Sequence, residues 1–377
     1  MLGRSRELGR ILRAFDWGPQ QVLERTKSLM AYQIFEDFAF SPKRVLFYLT
    51  YKCNLRCKMC WWWGESGVKP SSPDLSLTEI TTIIDRISRY KPSVSFTGGE
   101  VLTRKDILPI LEHAKGRGLR TEIFTNGTLV TSELAKRLAG LVDRFMFSLE
   151  GPQAIHDHIR GEGSFEKTTR AISLVREAAT ESQREVSVRF NCVVSSLSLP
   201  YLREAVEVAR SLGCHVTFQH LMFTTEQKAL RHTEFLRDGL GQDVDSSIGG
   251  FVTDFHEVDV DLLLRTLAEA RELADRLRVP FSVVPFLKGE KGIREWYTGV
   301  GSIRGMRCVF PWAFLYVKPN GDVAPCEFIN YRLGNVLYDD VGAIWNGSRA
   351  RRFRRSLKKG MFPGCTRCCE LLPWPLP

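Results

Sequence analysis

The chain has 377 residues, of which 44% are apolar and 25% are charged, a composition ordinary for a globular protein of one large α/β barrel or two domains. It contains no apolar run long enough to span a membrane, and its basic N-terminus lacks the apolar core of a secretory signal, so we expect neither segment. The formal net charge of +10, from 53 basic and 43 acidic residues, favours anionic partners.

Residues 1–43 are predicted to form an N-terminal helical extension. Leu2, Ile11, Leu12 and Phe15 would give such a helix one apolar stripe. We expect this stripe to dock on the body of the protein, with contact to a membrane surface as the alternative.

From residue 44 onward, strand patterns alternate with helix patterns. Such alternation predicts right-handed crossovers and a parallel sheet, here a partial (β/α)6 barrel over residues 44–280. Residues 223–258 break the rhythm and are expected to be a loop insertion over the mouth of the barrel or a disordered excursion. The predicted strands are 44–52, 93–100, 120–128, 143–151, 185–195 and 215–222, and the predicted helices are 76–90, 106–117, 132–140, 165–180, 200–212 and about 260–278.

The first strand is followed by "YKCNLRCKMCWWWGE", which places Cys53, Cys57 and Cys60 in C-x3-C-x2-C spacing. Without a secretory signal, clustered cysteines are better explained as metal ligands or redox groups of a reducing cytoplasm than as disulfides. Thiolates select zinc, copper(I) or iron–sulfur clusters, and a structural zinc ion would need four ligands. A four-iron cluster held by three cysteines leaves one iron open for another ligand, although a zinc or redox loop stays possible from the triplet alone.

This triplet after the first strand of a partial barrel resembles the radical S-adenosylmethionine (SAM) superfamily. The resemblance covers about residues 44–370. It implies a 4Fe–4S cluster on Cys53, Cys57 and Cys60 whose fourth iron is chelated by SAM. It also implies that an electron donor such as flavodoxin or ferredoxin drives cleavage of SAM to a 5′-deoxyadenosyl radical, which abstracts a substrate hydrogen.

Several strand ends carry residues that the resemblance assigns to SAM. "TGGE" is similar to the second-strand motif of the family, which implies that Gly98, Gly99 and Glu100 meet the methionyl amino group. Glycines allow close backbone approach, and a carboxylate suits an ammonium group. Asn126 and Asn191 are further candidates for contact with the cofactor or substrate.

"FSLEG" resembles the fourth-strand segment that offers Ser148 and Glu150 to the ribose and methionyl groups. The common form of the family has Asp where this chain has Glu150. "HDHIRGEGSFEKT" resembles the segment that follows, and it implies that Arg160 lies near the methionyl carboxylate, where a forked guanidinium fits.

A second cysteine group lies in the predicted C-terminal domain, residues 281–377. The spacing of its thiols would also suit a zinc ribbon. The pattern from Cys308 through "YVKPNGDVAPCEF" to "FPGCTRCCEL" resembles the auxiliary-cluster domain called SPASM, or twitch in its shortened form. The resemblance implies one auxiliary 4Fe–4S cluster on Cys308, Cys326, Cys365 and Cys368, with Cys369 able to replace Cys368 or to stay free.

The chain is therefore interpreted as a radical SAM oxidoreductase or maturase that oxidises or otherwise modifies a peptide, a small natural product or a carbohydrate. A redox-neutral epimerase and a non-catalytic iron–sulfur or zinc scaffold are the alternatives. The basic stretch 346–360 is interpreted as a solvated helix face, and no specific nucleic-acid partner is expected.

Overall fold

The computed structural model describes residues 30–64, 67, 72–241, 245–299 and 301–373. The predicted apolar stripe of Leu2, Ile11, Leu12 and Phe15 lies outside the described residues. Within them, the predicted alternation of strands and helices is confirmed, and the protein is an α/β fold with a parallel sheet and a cysteine-rich C-terminal region.

Fourteen strands are defined in the described part of the chain. They are β1 (Arg44–Tyr48), β2 (Ser93–Thr97), β3 (Arg120–Thr125), β4 (Arg144–Ser148), β5 (Ser187–Val194), β6 (His215–His220), β7 (Asp245–Ser246), β8 (Phe281–Val284), β9 (Met306–Cys308), β10 (Phe314–Val317), β11 (Asp322–Ala324), β12 (Ile329–Asn330), β13 (Gly334–Asn335) and β14 (Leu371–Pro373).

The α-helices connect these strands and cover the sheet. They are α1 (Leu77–Ser88), α2 (Ile107–Gly116), α3 (Ser132–Leu141), α4 (Gln153–Arg160), α5 (Ser164–Glu181), α6 (Leu202–Leu212), α7 (Glu226–Leu240), α8 (Val260–Leu277), α9 (Gly289–Thr298), α10 (Val341–Asn346) and α11 (Ser348–Lys359). The first of them begins as the sequence predicts, because Ser76 and Glu79 form a reciprocal capping box.

The main sheet has ten strands in the order β13-β11-β10-β1-β2-β3-β4-β5-β6-β8. The run from β10 to β8 is parallel, while β11 and β13 are antiparallel to their neighbours. The sheet is therefore wider than the six predicted strands, because β8 pairs with β6 and β10 pairs with β1. The four added strands, β8, β10, β11 and β13, all come from the predicted second domain, so that domain shares its sheet with the barrel. The boundary at residues 280 and 281 stays a prediction.

The two faces of the sheet differ in polarity. Val45, Phe47 and Phe96 are fully buried in the large core under the surrounding helices. The alternate residues of the same strands face inward and are largely polar. Ser95, for example, donates a hydrogen bond of 2.6 Å to the buried carboxylate of Glu122. The inner face thus offers a polar interior to a ligand.

The segment 223–258 is a folded insertion in its described part. It contains α7 and the short strand β7, which pairs with β12 of the C-terminal region. A 3-10 turn at Ser247–Phe251 then packs against Trp61 of the cysteine loop. The insertion therefore bridges the first cysteine group and the C-terminal region.

Candidate cluster and cofactor site

The loop that carries Cys53, Cys57 and Cys60 is fastened to the end of β2 by backbone hydrogen bonds. The amide of Gly99 donates to the carbonyl of Thr50, and that of Glu100 donates to the carbonyl of Lys52, both at 2.8 Å. A Cβ added at Gly98 would lie 2.3 Å from the Thr50 oxygen, and one added at Gly99 would lie 2.3 Å from the Lys52 oxygen. The glycines of "TGGE" are thus required by the chain's own backbone, whatever they also offer to SAM.

The three thiols of the triplet are partly exposed, and each has a donor beside it. The Cys53 sulfur accepts from the amide of Leu55 at 3.4 Å, and the Cys60 sulfur accepts from the amide of Trp63 at 3.3 Å. Burial raises the pKa of the Cys53 thiol to about 11, so without a metal this group is neutral at pH 7. Donors that already face the sulfurs fit the charge that thiolate ligands carry in an iron–sulfur cluster.

Glu100 is almost fully buried, and both of its oxygens are engaged. One accepts from the Leu102 amide at 3.0 Å and the Thr125 hydroxyl at 2.7 Å, and the other accepts from the Asn126 amide at 2.7 Å. Burial raises the pKa of this carboxyl, and the three hydrogen bonds oppose that shift. A carboxylate has about four acceptor sites, so room for one further donor remains.

Asn126 is turned toward the cysteine loop. Its side-chain nitrogen donates to the side-chain oxygen of Asn54 at 3.0 Å, and its side-chain oxygen accepts from the backbone amide and the hydroxyl of Thr128. Asn54 in turn donates to the Thr128 hydroxyl at 2.8 Å. Asn126 therefore holds the loop between Cys53 and Cys57 in place, and a direct contact with SAM stays a prediction.

Glu150 and Arg160 form a buried ion pair beside the triplet. The Arg160 Nε donates to Glu150 at 3.0 Å and its Nη2 donates to the same oxygen, while its Nη1 lies 3.7 Å from the Cys57 sulfur. The second oxygen of Glu150 accepts from the Val193 amide at 2.8 Å. Burial raises the pKa of Cys57, and the Arg160 charge lowers it. The guanidinium thus supplies positive charge at the place where a cluster would be anionic.

His156 supports this pair from behind. It is fully buried, and its Nδ1 accepts a hydrogen bond of 3.2 Å from the amide of Glu150. Burial lowers the pKa of the imidazole to about 3, so the ring is neutral and can accept. The sequence analysis did not predict this role.

Ser148 and Asn191 are neighbours across β4 and β5, where they occupy paired register positions. The side chain of Asn191 donates to Gln219 of β6 at 3.2 Å. All three lie at the carboxyl half of the parallel strands, which is where such folds bind ligands. The structure therefore brings the predicted residues of the fourth and fifth strands to one edge.

The three tryptophans after Cys60 have different surroundings. Trp61 stacks on Phe251 with ring centroids 5.1 Å apart and meets Phe328 edge-on at 5.2 Å. The indole nitrogen of Trp62 donates to the Tyr48 hydroxyl at 3.1 Å. Trp63 donates to the carbonyl of Tyr51, just before the cysteine loop, and lies under the guanidinium of Arg56. Trp61 therefore connects the first cysteine loop with the insertion and with the segment after Cys326.

The second cysteine group surrounds a narrow cavity of about 40 Å³. Cys308, Cys326, Cys365 and Cys368 all line it, whereas Cys369 does not. Cys369 instead interacts with the neighbouring Cys368 thiol. This geometry agrees with the predicted set of four ligands, which stays a prediction.

Glu327 and Glu370 line the same cavity and were not identified from the sequence. Burial and the charge of Glu370 raise the pKa of Glu327 to about 8, and a hydrogen bond with the Tyr48 hydroxyl opposes the shift. Tyr48 is the last residue of β1, four residues before the cysteine loop begins at Lys52. The position of Glu327 directly after Cys326 was the available signal, but its partner on β1 could not be read from spacing.

In the described part of the chain, no group of three or more His, Cys, Asp or Glu side chains is arranged to hold a single metal ion. A zinc site needs its sulfurs around one atom, whereas the ligands of a four-iron cluster each bind a different iron. The donor sets are all-cysteine, which suits iron–sulfur clusters.

Comparison with known proteins gives the same assignment for both regions. Residues 47–193 match the radical SAM superfamily, and residues 308–369 match SPASM, an iron–sulfur cluster-binding domain. An AdoMet-dependent heme synthase of Methanosarcina barkeri is 34% identical over 342 residues, covering 88% of this chain and 89% of that protein. The mycofactocin maturase MftC of Mycobacterium ulcerans is 34% identical over 342 residues, covering 88% of this chain and 82% of the relative.

Solved structures share the fold at low sequence identity. Streptococcus suis SuiB bound to S-adenosylmethionine superposes with a TM-score of 0.59 at 15% identity, covering 89% of this chain and 71% of that chain. Native anSMEcpe with bound AdoMet gives a TM-score of 0.57 at 18% identity, covering 83% and 82% of the two chains.

The chain belongs to the radical SAM superfamily of enzymes and carries a SPASM domain. Its cofactors are accordingly 4Fe–4S clusters and S-adenosylmethionine. Within that class it is similar to proteins named AdoMet-dependent heme synthase and mycofactocin maturase, and it is itself a radical SAM/SPASM enzyme. No helix in the described residues is long and apolar enough to cross a membrane.

Proposed function

We propose that this enzyme performs an oxidative radical modification with two clusters. Cys53, Cys57 and Cys60 would hold the cluster that binds SAM, and the four thiols around the C-terminal cavity would hold the auxiliary cluster. When bound, the first cluster and SAM supply a one-electron cleavage that yields a hydrogen-abstracting radical.

The observation that carries this proposal is the direct contact between the two cysteine regions. Trp61, next to Cys60, packs against Phe328, two residues after Cys326. The Tyr48 hydroxyl at the end of β1 interacts with Glu327 beside the second cavity. A substrate held at the inner face of the sheet would therefore lie between the SAM site and the auxiliary cluster, as a two-cluster oxidation requires.

The residues near the triplet have distinct roles in this proposal. Arg160 would orient the methionyl carboxylate and balance the charge of the cluster, while Glu150 keeps the guanidinium in place. Glu100 would use its remaining acceptor site for the methionyl ammonium. Gly98, Gly99 and Asn126 shape the loop, and Ser148 and Asn191 would contact the ribose or the substrate.

The first substrate class to test is an iron porphyrin or its precursor. Relatives named AdoMet-dependent heme synthase reach 34% identity over nearly the full length of both chains. A peptide is the second class, since the relative named mycofactocin maturase is equally identical over a similar span. A redox-neutral outcome such as epimerisation stays the alternative to net oxidation.

The proposed electron source is a flavodoxin or ferredoxin of the reducing cytoplasm. Anaerobic enzyme, reconstituted with iron and sulfide, should be incubated with SAM, a chemical reductant and either an iron coproporphyrin or a candidate precursor peptide. We expect 5′-deoxyadenosine together with a substrate mass lower by whole hydrogens or by a lost group. A product of unchanged mass with an exchanged solvent hydrogen would instead establish the redox-neutral alternative.

A further inference from the structure

Helix α11 is a strongly basic helix on the surface of the C-terminal region. Its sequence, SRARRFRRSLKK, has seven basic residues and no acidic one. Ala350, Phe353 and Leu357 are buried on one side, which explains how so polar a helix is anchored. The opposite side is exposed at Arg349, Arg351, Arg352, Arg355 and Lys359.

Part of this charge has a structural role. Arg354 is nearly fully buried and donates to the carbonyls of Pro311 and Asp37 and to Asn346. The side chain of Asp37 pairs with both Arg351 and Arg355. One carboxylate therefore faces two guanidinium groups, and the exposed side of the helix keeps an excess of positive charge.

An apolar patch adjoins the basic side. Phe35, Phe38 and Phe40 are 39%, 37% and 38% exposed and pack on one another edge-to-face at 5.6 to 6.1 Å. Lys358 of α11 donates to the carbonyl of Phe35 at 3.0 Å, so the patch and the helix form one continuous surface. Exposed aromatic side chains bordered by arginines are the composition of a protein-binding surface.

The buried side of α11 packs against the segment that leads into the second cysteine group. Phe353 on the buried side of α11 meets Phe362 with ring centroids 5.4 Å apart. The carbonyl of Phe362 accepts a hydrogen bond of 2.9 Å from the amide of Cys365. Cys365 is six positions after Lys359, which limits their Cα distance to about 20 Å. A partner bound to the helix would thus come close to the C-terminal cavity.

We propose that the exposed side of α11 and the Phe35–Phe38–Phe40 patch form the docking surface for an acidic electron-carrier protein of the ferredoxin or flavodoxin type. The inference rests on the proposed function, because SAM cleavage consumes one electron for each event. The reduced carrier gives up that electron and is oxidised by one electron, and the enzyme accepts it on the C-terminal side. Positive charge beside the acceptor steers an acidic carrier, and the aromatic patch holds it.

The role of the positive charge on α11 in docking the carrier is tested by the double variant Arg352→Glu/Lys359→Glu in the full reconstituted enzyme. Lys167→Glu/Arg170→Glu on α5 is the matched control, because it changes the net charge equally at two exposed positions. The rate at which a purified acidic flavodoxin hydroquinone or a reduced ferredoxin reduces the enzyme is measured by stopped flow. In Arg352→Glu/Lys359→Glu this rate should be about 10-fold or more below that of wild type at ~0.01 M ionic strength. The difference should disappear near 1 M salt, while the control pair stays close to wild type.

The role of the apolar patch is tested by Phe38→Ala against Leu129→Ala, since Leu129 is 38% exposed in the loop between β3 and α3. Calorimetric binding of the oxidised carrier should weaken about 10-fold for Phe38→Ala, with an unchanged salt dependence. Leu129→Ala should bind like wild type.

Cleavage of SAM driven by a small chemical reductant should be normal in all four variants, which separates docking from the proposed function. If wild type yields no 5′-deoxyadenosine with that reductant, the proposed function fails. Equal slowing by both charge pairs, or none by either, would overturn the docking surface. A third result would also overturn it. If Arg352→Glu/Lys359→Glu accepted electrons normally but no longer bound phosphatidylglycerol vesicles or an acidic peptide, the surface would serve a membrane or a substrate instead.

Discussion

Arg160 and Glu150 are joined by a buried ion pair directly beside the first cysteine triplet. The pair has two consequences, because the remaining nitrogen of the guanidinium reaches the Cys57 sulfur and the remaining oxygen of the carboxylate holds the Val193 amide of β5. The cysteine loop, α4 and two strands are thereby coupled through two side chains. The positive charge near the triplet depends on this carboxylate, and its predicted contact with the cofactor stays a prediction.

We expect Glu150→Leu to destabilise the enzyme by about 3–5 kcal/mol, because it leaves the Arg160 charge buried without its partner. The double variant Glu150→Leu/Arg160→Met should recover much of that loss, since it removes both charges. Urea unfolding at equal cluster content measures both. Additive losses in the double variant would show that the two side chains act independently.

Glu100→Gln should lower the affinity for SAM about 10–150-fold, because it removes the charge that would face the methionyl ammonium. Both clusters should persist, as measured by iron content. Glu122→Gln is the matched control, since Glu122 is a buried carboxylate of the neighbouring strand that is held by Arg44, Arg144 and Ser95. Equal affinities of Glu100→Gln and wild type in equilibrium dialysis would remove Glu100 from the SAM site.

Trp61→Ala should loosen the insertion, because it deletes the ring that stacks on Phe251 and meets Phe328. We expect a loss of about 2–4 kcal/mol in the free energy of unfolding, somewhat below the cost of truncating a fully buried tryptophan. Limited proteolysis should cut faster within residues 223–258. The control is Trp63→Ala, because the Trp63 indole contacts the cysteine loop and not the insertion. This control should leave the rate of cleavage within the insertion unchanged. Equally fast cleavage in Trp63→Ala would refute the contact assigned to Trp61.

Cys326→Ala tests the division of labour between the clusters. If the auxiliary cluster moves electrons to or from the substrate, the Cys326→Ala variant should still form 5′-deoxyadenosine when it is reduced chemically, while the finished product disappears. A metal site is coupled to folding, so circular dichroism and iron content must first show an intact barrel with its first cluster. A folded variant that makes normal product would make the second cluster structural, and one without any SAM cleavage would place Cys326 on the path of electron input.

The repeating pattern from residue 44 was sufficient to predict the central strands, because a buried parallel strand and an amphipathic helix each have a clear period. It could not predict that β10 inserts beside β1. That pairing joins residues about 270 positions apart, and a four-residue strand carries little signal. The predicted loop insertion proved to contain α7, whose Thr225 cap and apolar stripe were hidden in a polar stretch.

The predicted site residues converge at one edge of the sheet, since strand ends in a parallel fold meet there. What the sequence could not give is the partner of each side chain. Gly98 and Gly99 were assigned to the cofactor, yet their size is dictated by Thr50 and Lys52. The neutral His156 behind Glu150 follows from burial alone, and no spacing reveals burial.

Iron content and 5′-deoxyadenosine formation, measured together in wild type and in Cys53→Ala/Cys57→Ala/Cys60→Ala, test the central claim most directly. Wild type reconstituted without oxygen should hold about eight irons per chain, from two four-iron clusters, and should cleave SAM when reduced. The triple variant should keep about four irons and form no 5′-deoxyadenosine. A wild-type count near four, bound zinc in place of iron, or SAM cleavage by the triple variant would contradict the account.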